Sequence, residues 1–357
     1  MLSNSKNVLV VGSAGSRKTS LIVESALGIG STRVLITTFT NENVDQIRSY
    51  LILKNGCVPK NITVLSWFRF LLRHGVRPYQ NMLSDRSRVR TINTDPLPMP
   101  LKFVKRTDVN RYYFTKQTDI YRDRVAEFAC HCDDRTKGFV IGRLEKIYSR
   151  IFIDEFQDFA GYDFSFVEKL CRSSIAITMA CDPRQGTFST NHSLKNKRFK
   201  RAGVMDWIKK LEGLVTIQER NECFRSNQVI CDFADQLYPD FSKTVSMNTE
   251  ITGHDGIFEF SEDAVSKYVQ EYAPTILRYN VATQTKGLKA INIGSCKGRT
   301  YDRVLIFPTG PMSEYVRTKN LAVVGDKAKL YVAVTRAKYS AAFVMKKKPA
   351  ARKGSRA

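Results

Sequence analysis

Several things are missing from this chain. No stretch approaches eighteen uninterrupted apolar residues, which excludes a membrane-spanning helix. The opening MLSNSKNVLVVG has no secretory-leader layout, because its apolar run leads straight into a glycine turn. No second Cys or His pair stands at zinc spacing from Cys130-His131-Cys132, so the eight scattered cysteines read as reduced, mostly buried thiols. Acidic charge is also scarce. The chain has 34 Asp and Glu against 57 Lys and Arg, a net charge of +23. An excess of that size serves a polyanion by releasing phosphate counterions, so nucleic acid is the expected partner. A membrane is not, and the expected location is cytoplasmic, associated with DNA or the nucleoid (nuclear in a eukaryote).

What is present starts at residues 7–11 (NVLVV), an apolar, β-branched run that reads as a buried parallel strand. Gly12, Ser13, Ala14, Gly15, Ser16, Arg17, Lys18 and Thr19 follow, and from Ser20 a helical period runs to residue 27. Strand, glycine turn, Lys-Thr and helix are the parts of a phosphate-binding loop. Its backbone N–H groups and helix N-terminus receive phosphates, Lys18 reaches the β- and γ-phosphates, and the Thr19 hydroxyl binds Mg²⁺. One position departs from the motif: Arg17 stands where glycine is expected, placing a Cβ where the backbone passes close to the nucleotide.

Residues 33–38 (RVLITT) form a second strand, ending in Phe39-Thr40-Asn41 before a helix at 43–53. Doubly wound sheets put ligand contacts at such carboxyl ends. Phe39 either stacks a base or packs under its loop. A third short strand at 61–65 leads into an aromatic, basic helix beginning Ser66-Trp67. From 76 to about 143 the α/β rhythm fades into a basic, mostly helical and loop insertion, which is either a second wall for nucleic acid or a solvated face.

The strand at 150–153 (RIFI) ends in Asp154-Glu155-Phe156-Gln157. Paired carboxylates beyond an apolar strand, downstream of a phosphate loop, suit a hydrolytic centre. Asp154 holds Mg²⁺ directly or through water, Glu155 orients and deprotonates the attacking water, and Gln157 sits near the γ-phosphate. The strand at 174–181 ends in Asp182-Pro183-Arg184-Gln185, with Gln185 the better γ-phosphate sensor. Residues 195–201 (KNKRFKR) contact phosphate or lie in a solvated loop. From about Thr216 a second unit begins, with strands at 276–279, 290–293, 304–307 and 340–345 and a helix at 330–338.

In this order GSAGSRKT, TTFTN, IDEFQDF, CDPRQ, FRS, SCKGRTYDRVLIF and LYVAVTRAK resemble the motifs of UvrD/Rep-type superfamily 1 helicases. The resemblance implies an α/β chain of two RecA-like P-loop NTPase domains with parallel sheets. The first spans 1–215 with the insertion, the second spans 216–345, and a basic disordered tail follows at 346–357. It implies ATP and Mg²⁺ as cofactors, with Gly298 also near the nucleotide, and Arg225 and Arg336 as arginine fingers from the second domain. It further implies single-stranded DNA as partner, touched by Phe39, Thr40, Asn41, Ser66, Trp67, Phe188 and Lys297. Translocation would run 3′ to 5′, in a compact, monomeric motor that works with a protein loading partner. Two other readings stay open: a nucleic-acid clamp or regulatory subunit with weak ATPase, and an RNA-directed superfamily 1 motor.

Overall fold

The computed structural model describes residues 5–97 and 103–346. It contains two compact units. One runs to Gly12 and resumes over Arg17–Arg220; the other takes Ser13–Ser16 and the described chain from Asn221.

The apolar runs of the first unit become β1 (Asn7–Gly12), β2 (Val34–Thr38), β3 (Ile62–Ser66), β4 (Arg150–Ile153), β5 (Ala176–Cys181) and β6 (Val215–Arg220). All pair in parallel, in the order β3-β2-β4-β5-β1-β6. β1 carries Leu9 and Val10 on opposite faces, both buried, as expected of a strand covered on two sides. The helices α1 (Lys18–Leu27) and α2 (Asn41–Asn55) follow β1 and β2. This order sets the carboxyl ends of β4, β5 and β1 side by side, although they lie far apart in sequence.

One domain boundary needs correction. The first unit does not stop at 215, because β6 is its edge strand and the division falls after Arg220. In VTIQER only Val215 is buried, so the segment lacks the apolar signal that marks central strands. The insertion, expected as a second wall for nucleic acid or a solvated face, also carries part of this unit's core. Its helices Val125–Arg135 and Phe139–Ile147 pack Phe128, Cys130, Cys132 and Leu144 into the same core as Ile151 and Ile153 of β4. The helix Trp67–Phe70 widens into a π-helix over Leu71–Val76, where Gly75 lies against Ala129; a Cβ at Gly75 would come within 2.8 Å of the Ala129 methyl.

The second unit has β7 (Gly256–Ser261), β8 (Thr275–Arg278), β9 (Ile291–Asn292), β10 (Tyr301–Phe307) and β11 (Ala337–Met345), also parallel, in the order β7-β11-β10-β8-β9. Two parallel sheets agree with the expected α/β class. The helix expected over 330–338 is Lys327–Val334 instead. Thr335 turns its hydroxyl back to the Tyr331 carbonyl at 2.7 Å, and the buried strand β11 takes over at Ala337. The basic tail beyond Lys346 lies outside the described residues. Among the described residues no helix is long and apolar enough to cross a membrane.

Candidate functional site

The phosphate loop opens at the end of β1. Lys18 begins α1, and its ammonium donates to the Gly12 carbonyl at 2.9 Å. Burial pulls the Lys18 pKa below the ordinary lysine value, against the pull of Asp182, Glu155 and Asp154. Arg17 is exposed and caps α1 in the left-handed region, with φ 57° and ψ 34°. The glycine of the motif is therefore a conformational requirement that Arg17 meets with strain, while its side chain stands at the surface. Ser13–Ser16 pack with the second unit, where the Ala14 N–H donates to the Tyr331 hydroxyl at 3.1 Å. Ser20 lies half-buried in the first turn of α1.

Across the sheet, at the end of β4, the Thr19 hydroxyl donates to the Asp154 carboxylate at 2.7 Å, and the Glu155 N–H donates to the same carboxylate at 3.0 Å. Burial, and secondarily the Glu155 charge, push the Asp154 pKa up to about 6. Glu155 itself sits in the left-handed region at φ 56°. The Gln157 side-chain amide donates to the Glu155 carboxylate, and its oxygen accepts the Asp182 N–H at 3.0 Å. Asp182, beyond β5, accepts from Arg184 Nε at 2.9 Å and Gln185 Nε2 at 2.8 Å. One continuous hydrogen-bonded chain thus crosses three adjacent strand ends. The oxygen-only pair Thr19 and Asp154 suits Mg²⁺ chelated with nucleotide phosphates, a hard cation that keeps few protein ligands. Asp182 and Arg184, both buried, form an ion pair here. The CDPRQ run contained both, but nothing in its spacing marked Asp182 as the acceptor that orients Gln185.

In the second unit Arg225 donates to the Thr335 carbonyl at 3.0 Å, which places it beside Arg336. Arg336 is only 1% exposed and bonds the carbonyls of Val332 and Arg299, both at 3.3 Å. Gly298 takes φ +82° in the turn that carries half-buried Lys297.

Of the expected nucleic-acid residues, Phe39 and Phe188 meet. Their ring centroids are 6.3 Å apart, and Phe68 lies edge-on to Phe39 at 5.9 Å. Phe188 is 37% exposed. Thr40 caps α2 by accepting the Asn43 N–H at 3.1 Å, Asn41 is exposed at its start, and Ser66 closes β3 nearly buried. Trp67 is a correction. It is 0% exposed, packs on Phe70, Phe159 and Phe166, and donates its indole N–H to Asp163 at 2.7 Å, so it cannot meet a strand. Its neighbour Phe68, about 100° further round the helix, is half-buried: it packs against the core and also lines the furrow beside α2. The cysteines of the Cys130-His131-Cys132 run point into the core, and among the described residues no group of His, Cys, Asp and Glu is placed to hold a metal.

Parallel sheets with a glycine turn, two acids and a glutamine at neighbouring strand ends are the arrangement of a P-loop nucleotide-binding fold. The family model for the viral superfamily 1 RNA helicase core domain matches residues 112–345, and the chain belongs to that family. Among solved structures it is similar to the arterivirus nonstructural protein 10 helicase, at 15% identity and a TM-score of 0.50, and to the same arterivirus helicase in complex with DNA, at 14% and 0.51. These likenesses cover 96% of this chain but only 61% and 62% of the arterivirus chains. At such identities they speak for the fold. No curated protein matches.

Proposed function

We propose that the protein is a motor that hydrolyses Mg²⁺-ATP as it moves on single-stranded nucleic acid. The observation that carries this reading is the hydrogen-bonded chain from Thr19 through Asp154, Glu155, Gln157 and Asp182 to Gln185. Thr19 and Asp154 would hold Mg²⁺, whose charge would offset that of the nucleotide phosphates. Lys18 draws the β- and γ-phosphates to the helix N-terminus. Glu155 accepts the proton of the attacking water, with Gln157 aiming its carboxylate, and Gln185 senses the γ-phosphate. In the second unit Arg225 and Arg336, side by side, are kept as the arginine fingers that the superfamily 1 resemblance implies.

RNA is the first assignment for the strand, supported by family membership. Single-stranded DNA is the second reading, supported by the UvrD/Rep-like wording of TTFTN and IDEFQDF. Phosphate release measured with and without poly(U) and oligo(dT) tests the reading. Either strand is expected to stimulate turnover at least tenfold, and Glu155→Gln to lower it by about 10²–10⁴ with nucleotide still bound. Absence of stimulation, together with an unchanged Glu155→Gln rate, would reject the motor. Tight binding of both ligands without turnover would favour a nucleic-acid clamp.

A further inference from the structure

Seven of the eight cysteines are buried, and burial holds the thiols of Cys130, Cys132, Cys171, Cys181 and Cys296 above the ordinary cysteine value. Cys223 and Cys231, in the second unit, differ from these because they meet each other. Cys223 ends the short strand Glu222–Cys223, and Cys231 lies near the start of the helix Gln228–Gln236. The Cys231 thiol donates a hydrogen bond to the Cys223 sulfur. The Ser226 N–H, just ahead of the helix cap Asn227, donates to the same sulfur at 3.4 Å. These donors, the Cys231 thiol foremost, pull the Cys223 pKa below the ordinary value, and the same contact pushes that of Cys231 up. One sulfur is the nucleophile, and its neighbour keeps the proton. Cys223 also packs on the phosphate loop, whose residues Ser13–Ser16 belong to this unit. A Cβ at Gly15 would stand 2.8 Å from Cys223 Sγ and 2.9 Å from Arg225 Cβ, and the Phe224 N–H donates to the Gly15 carbonyl at 3.0 Å.

We propose that Cys223 and Cys231 are an oxidation site, a nucleophilic thiol and its resolving partner that hydrogen peroxide closes to a disulfide. The Cys223 thiolate attacks one peroxide oxygen. An S–O bond forms, the O–O bond breaks and hydroxide leaves, so the sulfur loses two electrons and the peroxide gains them. The Cys231 sulfur then attacks the sulfenic acid: the S–S bond forms, the S–O bond breaks, and the thiol proton departs with the hydroxyl group as water. Two thiols and one peroxide thus give a disulfide and two waters. A peroxide is small enough for a sulfur that is 2% exposed, and the resolving thiol is already in contact, so no segment has to travel. Closure ties down the loop that carries Arg225 and changes the sulfur that fills the contact with Gly15. The oxidation stands apart from the motor reading; its bearing on nucleotide rests on that reading.

The test uses the full chain with Cys57→Ser, which removes the exposed thiol. The protein is treated with hydrogen peroxide and its peptides are mapped by mass spectrometry without reduction. The expected product joins the peptides of Cys223 and Cys231 and is reversed by dithiothreitol. Cys231→Ser and Cys231→Ala should both stop at the sulfenic acid, trapped at Cys223 by dimedone, and Cys223→Ser should leave Cys231 unoxidised. Joining the pair should weaken binding of a fluorescent ATP analogue by about tenfold, the order expected when a filled contact is forced to repack. Treated Cys231→Ala should show no such dithiothreitol-reversible joined peptide. Oxidation at other cysteines while Cys223 and Cys231 stay reduced overturns the proposal and leaves the pair as packing. Oxidation of Cys231 in Cys223→Ser overturns the assignment of nucleophile and resolving thiol. The two readings fail separately: the joined peptide in a protein that never hydrolyses ATP sinks the motor alone, and stimulated turnover without the joined peptide sinks the thiol pair alone.

Discussion

The first unit gathers polar and charged groups in two places, by opposite means. At the ends of β1, β4 and β5 the named polar groups are already engaged with one another, and burial shifts Lys18 down and Asp154 up. In the furrow between α2, the π-helix and residues 88–94, Arg69, Arg73, Arg88 and Arg90 are exposed and form no ion pair with any of the described residues. The first arrangement is preorganised, so one lost atom breaks a chain of contacts; the second is additive, so each lost arginine removes one contact. Chemistry demands the former. Holding a strand of any sequence needs only the latter.

The sharpest way to separate core from contact surface is the adjacent pair Trp67 and Phe68. Trp67→Ala removes a fully buried ring and the indole donor to Asp163, and should lower stability by about 3–5 kcal/mol in urea unfolding. Phe68→Ala, which removes a half-buried ring, should cost clearly less stability than Trp67→Ala yet weaken oligonucleotide binding by about 1–3 kcal/mol. The reverse pattern would move the binding face.

A smaller effect is expected at Asp154. Its native pKa, raised to about 6, exceeds the unfolded value of about 3.9. Between these values the native state holds a proton that the unfolded state has lost, so stability falls as pH rises through the window, and above it the buried charge is a standing penalty. Asp154→Asn should therefore raise stability at pH 7 by about 1–3 kcal/mol, show little gain near pH 4, and abolish Mg²⁺-dependent hydrolysis. An equal gain at both pH values would show that the carboxylate charge is not the cause. Smallest of all, Arg17→Gly should relieve the left-handed backbone and add about 0.5–1 kcal/mol in urea unfolding.

Much of this was legible in the residues. Apolar runs named the central strands of both sheets, and the strand-end groups Lys18, Thr19, Asp154, Glu155, Gln157 and Gln185 do converge in the first unit. What escaped had physical reasons. The edge strand β6 exposes most of its side chains, so VTIQER carries no apolar pattern. Strand β7 (GIFEFS) is only partly buried and was not foreseen. Trp67 and Phe68 are equally aromatic, and only the helical phase around Gly75 decides which one turns inward. The arginines of the furrow beside α2 come from α2, the helix Trp67–Phe70, the π-helix and the segment at 88–94, so no single motif contains them; the basic stretch from 76 and the net charge of +23 were their signs in the sequence.

The position of Gln157 has one more consequence. Its oxygen is occupied by the peptide N–H of Asp182, so the amide cannot turn over without breaking that bond, and its NH₂ must point at Glu155. The end of β5 thereby dictates the polarity of a side chain at the end of β4. An amide held this way presents its N–H to the Glu155 carboxylate and fixes the side from which that carboxylate is approached. The backbone of one strand thus aims a side chain on its neighbour, like a ratchet pawl that engages in one direction only.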